Sequence, residues 1–260
     1  MEECLLNKIF DKIFVIHCIE NEPRLKNIQF QKEQSGLNLE IHETCYFPWS
    51  QQAVNGLILS NRGRSVINGS EFNLTREFYS IIKRSYLKGL KRILIFEDDF
   101  SLMKNEVLNE FLENIPEDFD IIQFSLLLTE EIYDFENIAN EYEKGVYFTK
   151  TPFGAWSNNG LALSRKGMEY FISRIDKEFM AADYPIFESA NKFDFYGKKD
   201  QGKLFGLNHY IPTIPLVFLD KRFDSQVQQE SKKDLYKIYN YLNRSYYNLI
   251  YDTKINSNNI

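Results

Sequence analysis

The sequence predicts an α/β fold: a mostly parallel central sheet with helices on both faces. Short apolar runs rich in β-branched residues recur along the chain, helical-period segments separate them, and the opening reads strand, helix, strand. Such a β-α-β unit joins parallel strands through a crossover helix that lies against the sheet.

The elements follow in order. Residues 12-KIFVIHCI-19 read as a buried strand, and Asn21 and Pro23 introduce a helix over 22–34 that Ser35 and Gly36 stop. A second strand is expected at 39-LEIHETCYF-47. The Gly, Asn and Ser content of 61-NRGRSVINGS-70 predicts a loop, with Arg62 and Arg64 in reach of a ligand should it close. Asn73 is the expected N-cap of a helix to Lys88, with Leu74, Phe78, Ile81, Ile82 and Ser85 at helical spacing and Gly89 as its stop.

The strand 93-ILIF-96 comes next, then a helix over 105–114 and a strand in 120-DIIQFSLLL-128; 129–144 has no clear period and reads as irregular. A turn at Asn158, Asn159 and Gly160 leads into a strand and a helix over 165–175. A helix near 182–191 and a strand at 214-IPLVF-218 close the domain. Residues 1–230 read as one domain, followed in 231–260 by an amphipathic helix and a frayed tail.

A length of 260 residues with 43% hydrophobic content provides for a real core, and 26% charged residues exclude wholesale disorder. The net charge of −6 argues against nucleic acid as a partner, because that role demands a basic face. Cys4, Cys18 and Cys45 have neither metal-ligand spacing nor an even count, so reduced thiols and a cytoplasmic setting are expected. The acidic start MEECLLNKIFDK does not read as a secretion signal, and no apolar run is long enough for a membrane-spanning helix.

The stretch 93-ILIFEDDF-100 carries the chemistry. A buried strand runs straight into Glu97, Asp98 and Asp99, and ligands of open α/β sheets sit beyond the carboxyl ends of strands. Hard divalent cations take one or two carboxylates plus substrate phosphates, so the triplet suits a metal that holds a diphosphate. The structural alternative is a solvated strand end followed by a helix N-terminus, where acids also favour the dipole.

These residues resemble glycosyltransferase family 25, the lipopolysaccharide and collagen sugar transferases of GT-A type. The resemblance rests on the apolar strand ending in Glu-Asp-Asp behind a helix and Gly89. In addition, 14-FVIHCIENEPRLKNI-28 is similar to the family's opening strand and Arg-bearing helix, 161-LALSRKGMEYFI-172 to its Ser-ended segment, and 180-MAADYPIF-187 to its later Asp motif. It spans residues 12 to about 220. His17 stands where the family usually has Asn, and Glu77 and Phe78 occupy the place of a Ser-His pair.

The resemblance implies a GT-A type nucleotide-sugar-binding fold over 1–230 and a metal-dependent, inverting hexosyl transfer. A UDP-sugar, galactose being the family's commonest choice, would donate to a surface glycan such as lipo-oligosaccharide. Glu97 and Asp99 would hold Mn²⁺ or Mg²⁺; His17, Glu20, Arg24 and Asp98 would line the nucleotide seat. Asp183 would be the base on the acceptor hydroxyl, with Glu188 and Asp200 as substitutes. Apart from the resemblance, His209 lies near the apolar strand that closes the site and is a further candidate metal ligand, with an ordinary loop histidine as the favoured alternative.

Trp156 suits stacking on an acceptor sugar and equally suits a core anchor. Over 235-LYKIYNYLNRSYYNLI-250 an apolar and Tyr-rich face sits beside Lys232, Lys233, Lys237 and Arg244. The span 232–250 therefore suits peripheral contact with the inner face of a membrane, although docking on its own domain or on a second copy in a homo-oligomer is favoured. Two other function classes stay open. A metal-dependent nucleotidyltransferase would normally carry a Gly-rich phosphate loop after the first strand, and 17-HCIENEPR-24 has no glycine; a non-catalytic binding module fits the missing Ser-His pair.

Overall fold

A computed structural model of the chain describes residues 4–45, 69–125, 141–150, 157–177, 179–189 and 205–219. The elements are α1 (Leu5–Ile9), β1 (Lys12–Cys18), α2 (Glu22–Ser35), β2 (Leu39–Thr44), α3 (Gly69–Leu87), β3 (Arg92–Glu97) and β4 (Phe100–Leu102). They continue with α4 (Asn105–Glu113), β5 (Ile121–Gln123), β6 (Phe148–Lys150), β7 (Leu161–Ser164), α5 (Arg165–Lys177), α6 (Asp183–Ser189), β8 (His209–Pro212) and β9 (Val217–Leu219).

Seven strands form one sheet in the order β2-β1-β3-β7-β5-β8-β6. β1 pairs in parallel with β2 and β3, and β5 with β8, while β7 is antiparallel to both its neighbours and β6 to β8. Five of the seven therefore run one way, which is the mostly parallel sheet the sequence predicts. β4 and β9 make a separate antiparallel pair.

Side chains alternate across a strand, and the two faces carry separate cores. Val15, Leu94, Phe96, Ile122 and Ala162 face Leu6, Ile28 and Phe111 of α1, α2 and α4. Phe14, Ile16, Ile93, Ile95, Ile121, Leu161 and Leu163 face Phe78, Ile82, Met168, Phe171 and Ile186 of α3, α5 and α6. That both faces are covered explains why β1 and β3 are continuous apolar runs rather than alternating ones.

Local chemistry sets the boundaries. The Asn21 side chain accepts from the Arg24 amide at the start of α2, Pro23 sits in its first turn, and Gly36 ends it with a φ of 67°. Asn73, expected as a cap, instead lies inside α3, which already includes Gly69 and Ser70 of the expected loop. The rest of that loop, Arg62 and Arg64 included, lies outside the described residues, as do Trp156, most of 129–144 and the 232–250 span. No helix among the described residues is long and apolar enough to cross a membrane.

Candidate active site at the carboxyl end of the sheet

The acids after β3 lie in a tight turn rather than at a helix start. Phe100, fully buried at the head of β4, stacks on Phe96 with ring centroids 4.5 Å apart. Two core phenylalanines thus flank Asp98 and Asp99 in sequence, and both carboxylates are drawn into the protein, 5% and 8% exposed. Burial of an ionised carboxylate is tolerated only with charge or hydrogen-bond partners, and each acid is partnered differently.

Asp98 is tied into the scaffold. Its Oδ2 accepts from the Cys18 amide at 3.3 Å and lies 3.1 Å from Nδ1 of His17, and its Oδ1 accepts from Nη1 of Arg24 at 2.5 Å. Arg24 also pairs through Nη2 with Oδ2 of Asp99 at 3.4 Å. One turn further along α2, Nδ2 of Asn27 donates to the Phe100 carbonyl at 2.8 Å. The start of α2 is therefore clamped to the acidic turn, and of the residues expected to line a nucleotide seat Arg24 and His17 are each bonded to Asp98. Glu20 is exposed beside them, and its carboxylate accepts from the Cys18 thiol at 2.8 Å.

Asp99 and Glu97 face another wall of the site. Asn159 donates from Nδ2 to Oδ1 of Asp99 at 3.1 Å and accepts through Oδ1 from the Glu97 amide at 3.1 Å. The neighbouring Asn158 donates to Oδ1 of Asp183, the first residue of α6, at 2.7 Å, while its own Oδ1 is buried with no partner among the described residues. Glu97 is held well above the usual carboxylate range by loss of water and by the charges of Asp99, Asp183 and Asp98, against which Arg24 works. Loss of water and the charge of Glu71 raise Asp183 to about 6, and the bond from Asn158 opposes the shift. Carboxylates from β3 and α6 thus share one negative field.

The expected metal set does not assemble as a whole. His209 opens β8, level with Ile121, which pairs through Leu163 with Ile93 of β3. That places it four residues down the sheet from Glu97 and three strands across, about 13 Å by about 14 Å at ordinary strand spacings. There it is buried, its Nδ1 lies 2.8 Å from Oγ of Ser189, and burial lowers its pKa to about 3. It is a neutral histidine on the α6 face of the sheet and not a ligand beside Glu97.

Among the described residues no group of three or more His, Cys, Asp or Glu side chains is placed to hold a metal ion. Glu97 and Asp99 remain, and two hard oxygen donors fit the pattern in which substrate phosphates complete the shell. Of the substitutes for Asp183, Glu188 falls in α6 and Asp200 lies outside the described residues. The roles of Asn158 and Asn159 were missed, since the sequence marks them only as a turn; their adjacency just ahead of an apolar strand was the one available signal.

No protein-family model and no curated protein matches the chain. Solved structures similar to it include the galactosyltransferase LgtC in complex with donor and acceptor sugar analogs, at 10% identity and a TM-score of 0.37 over 86% of this chain and 93% of that one. Mouse xyloside xylosyltransferase 1 in its apo form is similar at 12% identity and a TM-score of 0.33, over 80% and 83% of the two chains. Both are glycosyltransferases and neither singles out family 25; likenesses this distant leave the activity to be argued from the site.

Proposed function

We propose that the chain is a glycosyltransferase that moves a hexose from a nucleoside diphosphate sugar to a glycan hydroxyl. The observation that carries this reading is the division of labour in the acidic turn. Asp98 is consumed by Arg24, His17 and the Cys18 amide, whereas Glu97, at the carboxyl end of the parallel strands, has its pKa raised first by burial and then by the charges of Asp99, Asp183 and Asp98. Crowded carboxylates of this kind are relieved by a divalent cation.

Glu97 and Asp99 would hold Mn²⁺ or Mg²⁺, which supplies Lewis-acid stabilisation of the departing nucleoside diphosphate. Arg24 and His17 keep the turn in place by fixing Asp98. Asp183, raised toward neutrality, is suited to take the proton of the attacking acceptor hydroxyl, because a general base works best with a pKa near the operating pH. A UDP-linked donor, galactose as the sugar and a lipo-oligosaccharide or capsule as the acceptor follow from the resemblance to family 25.

A panel of UDP-, GDP-, CMP- and dTDP-sugars, assayed with Mn²⁺ for release of the nucleotide in the presence of glycan acceptors, tests the reading. Turnover of one donor class that is lost with EDTA supports it. Silence across the panel, in protein shown to be folded, overturns it.

A further inference from the structure

The residues that connect the two carboxylate-bearing elements are neither acids nor cations. Glu97 ends β3 and Asp99 lies in the turn after it, Asp183 begins α6, and the segment between them in space is the Ser157–Gly160 turn. We propose that Asn158 and Asn159 are positioning residues, Asn159 fixing the Asp99 carboxylate and the Glu97 backbone and Asn158 fixing the α6 carboxylate, so that one rigid turn sets the spacing between the acidic turn and α6. This rests on the glycosyltransferase reading of the site.

The turn is built for such a task. Asn158 and Asn159 are each 1% exposed, and Asn159 uses both ends of its amide, one on the Glu97 backbone and one on the Asp99 side chain. Its backbone amide donates to Oγ of Ser157 at 3.2 Å, and the Ser157 carbonyl accepts from Nε2 of Gln123 at 2.9 Å, which ties the turn to β5. Ser157 has a φ of 153°, rare for a residue with a side chain, and such strain persists only where the surroundings over-determine it. Gly160 has a φ of 78°, and a Cβ there would lie 2.8 Å from Cγ2 of Val217. Neighbouring asparagines can therefore hold their amides on two different elements without drifting.

Partners that orient metal-binding carboxylates typically carry about 10- to 100-fold of metal affinity, whereas a purely architectural hydrogen bond carries stability alone. Calorimetric titration of UDP at a series of Mn²⁺ concentrations separates the two. For Asn159→Ala the Mn²⁺ concentration that half-saturates UDP binding is expected to rise about 10- to 100-fold. Asn208→Ala, which breaks bonds to Asp118 at the other end of the sheet, should lower thermal stability and leave that concentration unchanged. Should Asn159→Ala fail to fold, Asn159→Ser takes its place.

The carboxyl carbon shift of Asp183, followed by NMR against pH, tests Asn158. Asn158→Ala removes a bond that favours the ionised form, so the Asp183 titration should move to higher pH with Glu71 and Glu97 still facing it. Wild-type affinity and titration in both variants would overturn the inference while the functional reading stands. Absence of UDP binding to the wild type at any Mn²⁺ concentration would overturn that reading and the Asn159 role with it, and the Asp183 titration would still decide Asn158.

Discussion

The two ends of the central sheet both draw carboxylates out of water, and at the carboxyl end Asp98 and Asp99 are supplied with donors while Glu97 and Asp183 stand in the field of other acids. At the amino end of β5, Asp120 accepts from Oγ of Ser164 at 3.0 Å, from the Asn208 amide at 2.9 Å and from Nζ of Lys166 at 3.3 Å. Asn208 in turn donates to Asp118, and Tyr210 closes the network on the same carboxylate at 3.0 Å. At the carboxyl end, Glu97 and Asp183 have their pKa values raised, with burial and neighbouring acids as the causes. Buried carboxylates supplied with donors serve the fold; carboxylates crowded against one another cost stability and persist where a ligand will supply the missing charge.

Asp183→Asn breaks that comparison most directly. It should lower turnover by about 10²- to 10⁴-fold, the usual contribution of a general base. The same change should stabilise the protein at neutral pH. Because the folded-state pKa of about 6 lies above the ordinary 3.8, the folded protein holds this proton more tightly, so stability falls as pH rises from about 4 to about 6 and stays lower above. Thermal unfolding should therefore show a gain of about 1 kcal/mol at pH 7.5, discounted for partial solvation, and none at pH 3.5.

Arg24→Met should be next in size. It leaves Asp98 and Asp99 buried without their shared guanidinium, a loss of about 3–5 kcal/mol for a broken buried ion pair. Chemical denaturation measures it directly. At the amino end, Gly167→Ala sharpens the contrast, since a Cβ there would lie 2.1 Å from the Asp120 carbonyl oxygen. It should cost about 1–3 kcal/mol and leave the Mn²⁺ dependence of UDP binding unchanged, because the damage falls on the satisfied network.

Much of the architecture was legible in local sequence. β1, α2, β3 and α5 match their expected spans to within about two residues, because long apolar or periodic segments with caps specify themselves. β4, β6 and β8 were not foreseen: three or four residues such as 148-FTK-150 or 209-HYIP-212 carry no period, and they become strands only because Leu219, Pro212 or Ile121 stands opposite. The start of α3 was misplaced because Asn73 makes a good cap on paper, whereas the helix takes in the four residues before it.

The site divides in the same way. Glu97, Asp98 and Asp99 announce themselves as a triplet after a buried strand, but their differing roles depend on Arg24, 74 residues from Asp98, and on Asn159, 60 residues from Asp99. Nothing local could have told the clamped acid from the other two. His209 was drawn into the metal set by its place next to an apolar segment, and sheet register moves it to the other end.

The central claim is that the carboxyl end of β3 is a metal and diphosphate seat. Calorimetric titration of UDP, with and without Mn²⁺, into the wild type and an Asp99→Asn variant of verified fold tests it most directly. The account predicts binding to the wild type that requires Mn²⁺ and is lost in the variant. UDP binding that ignores both the metal and the substitution, or no binding of UDP, GDP, CMP or dTDP at all, would contradict it.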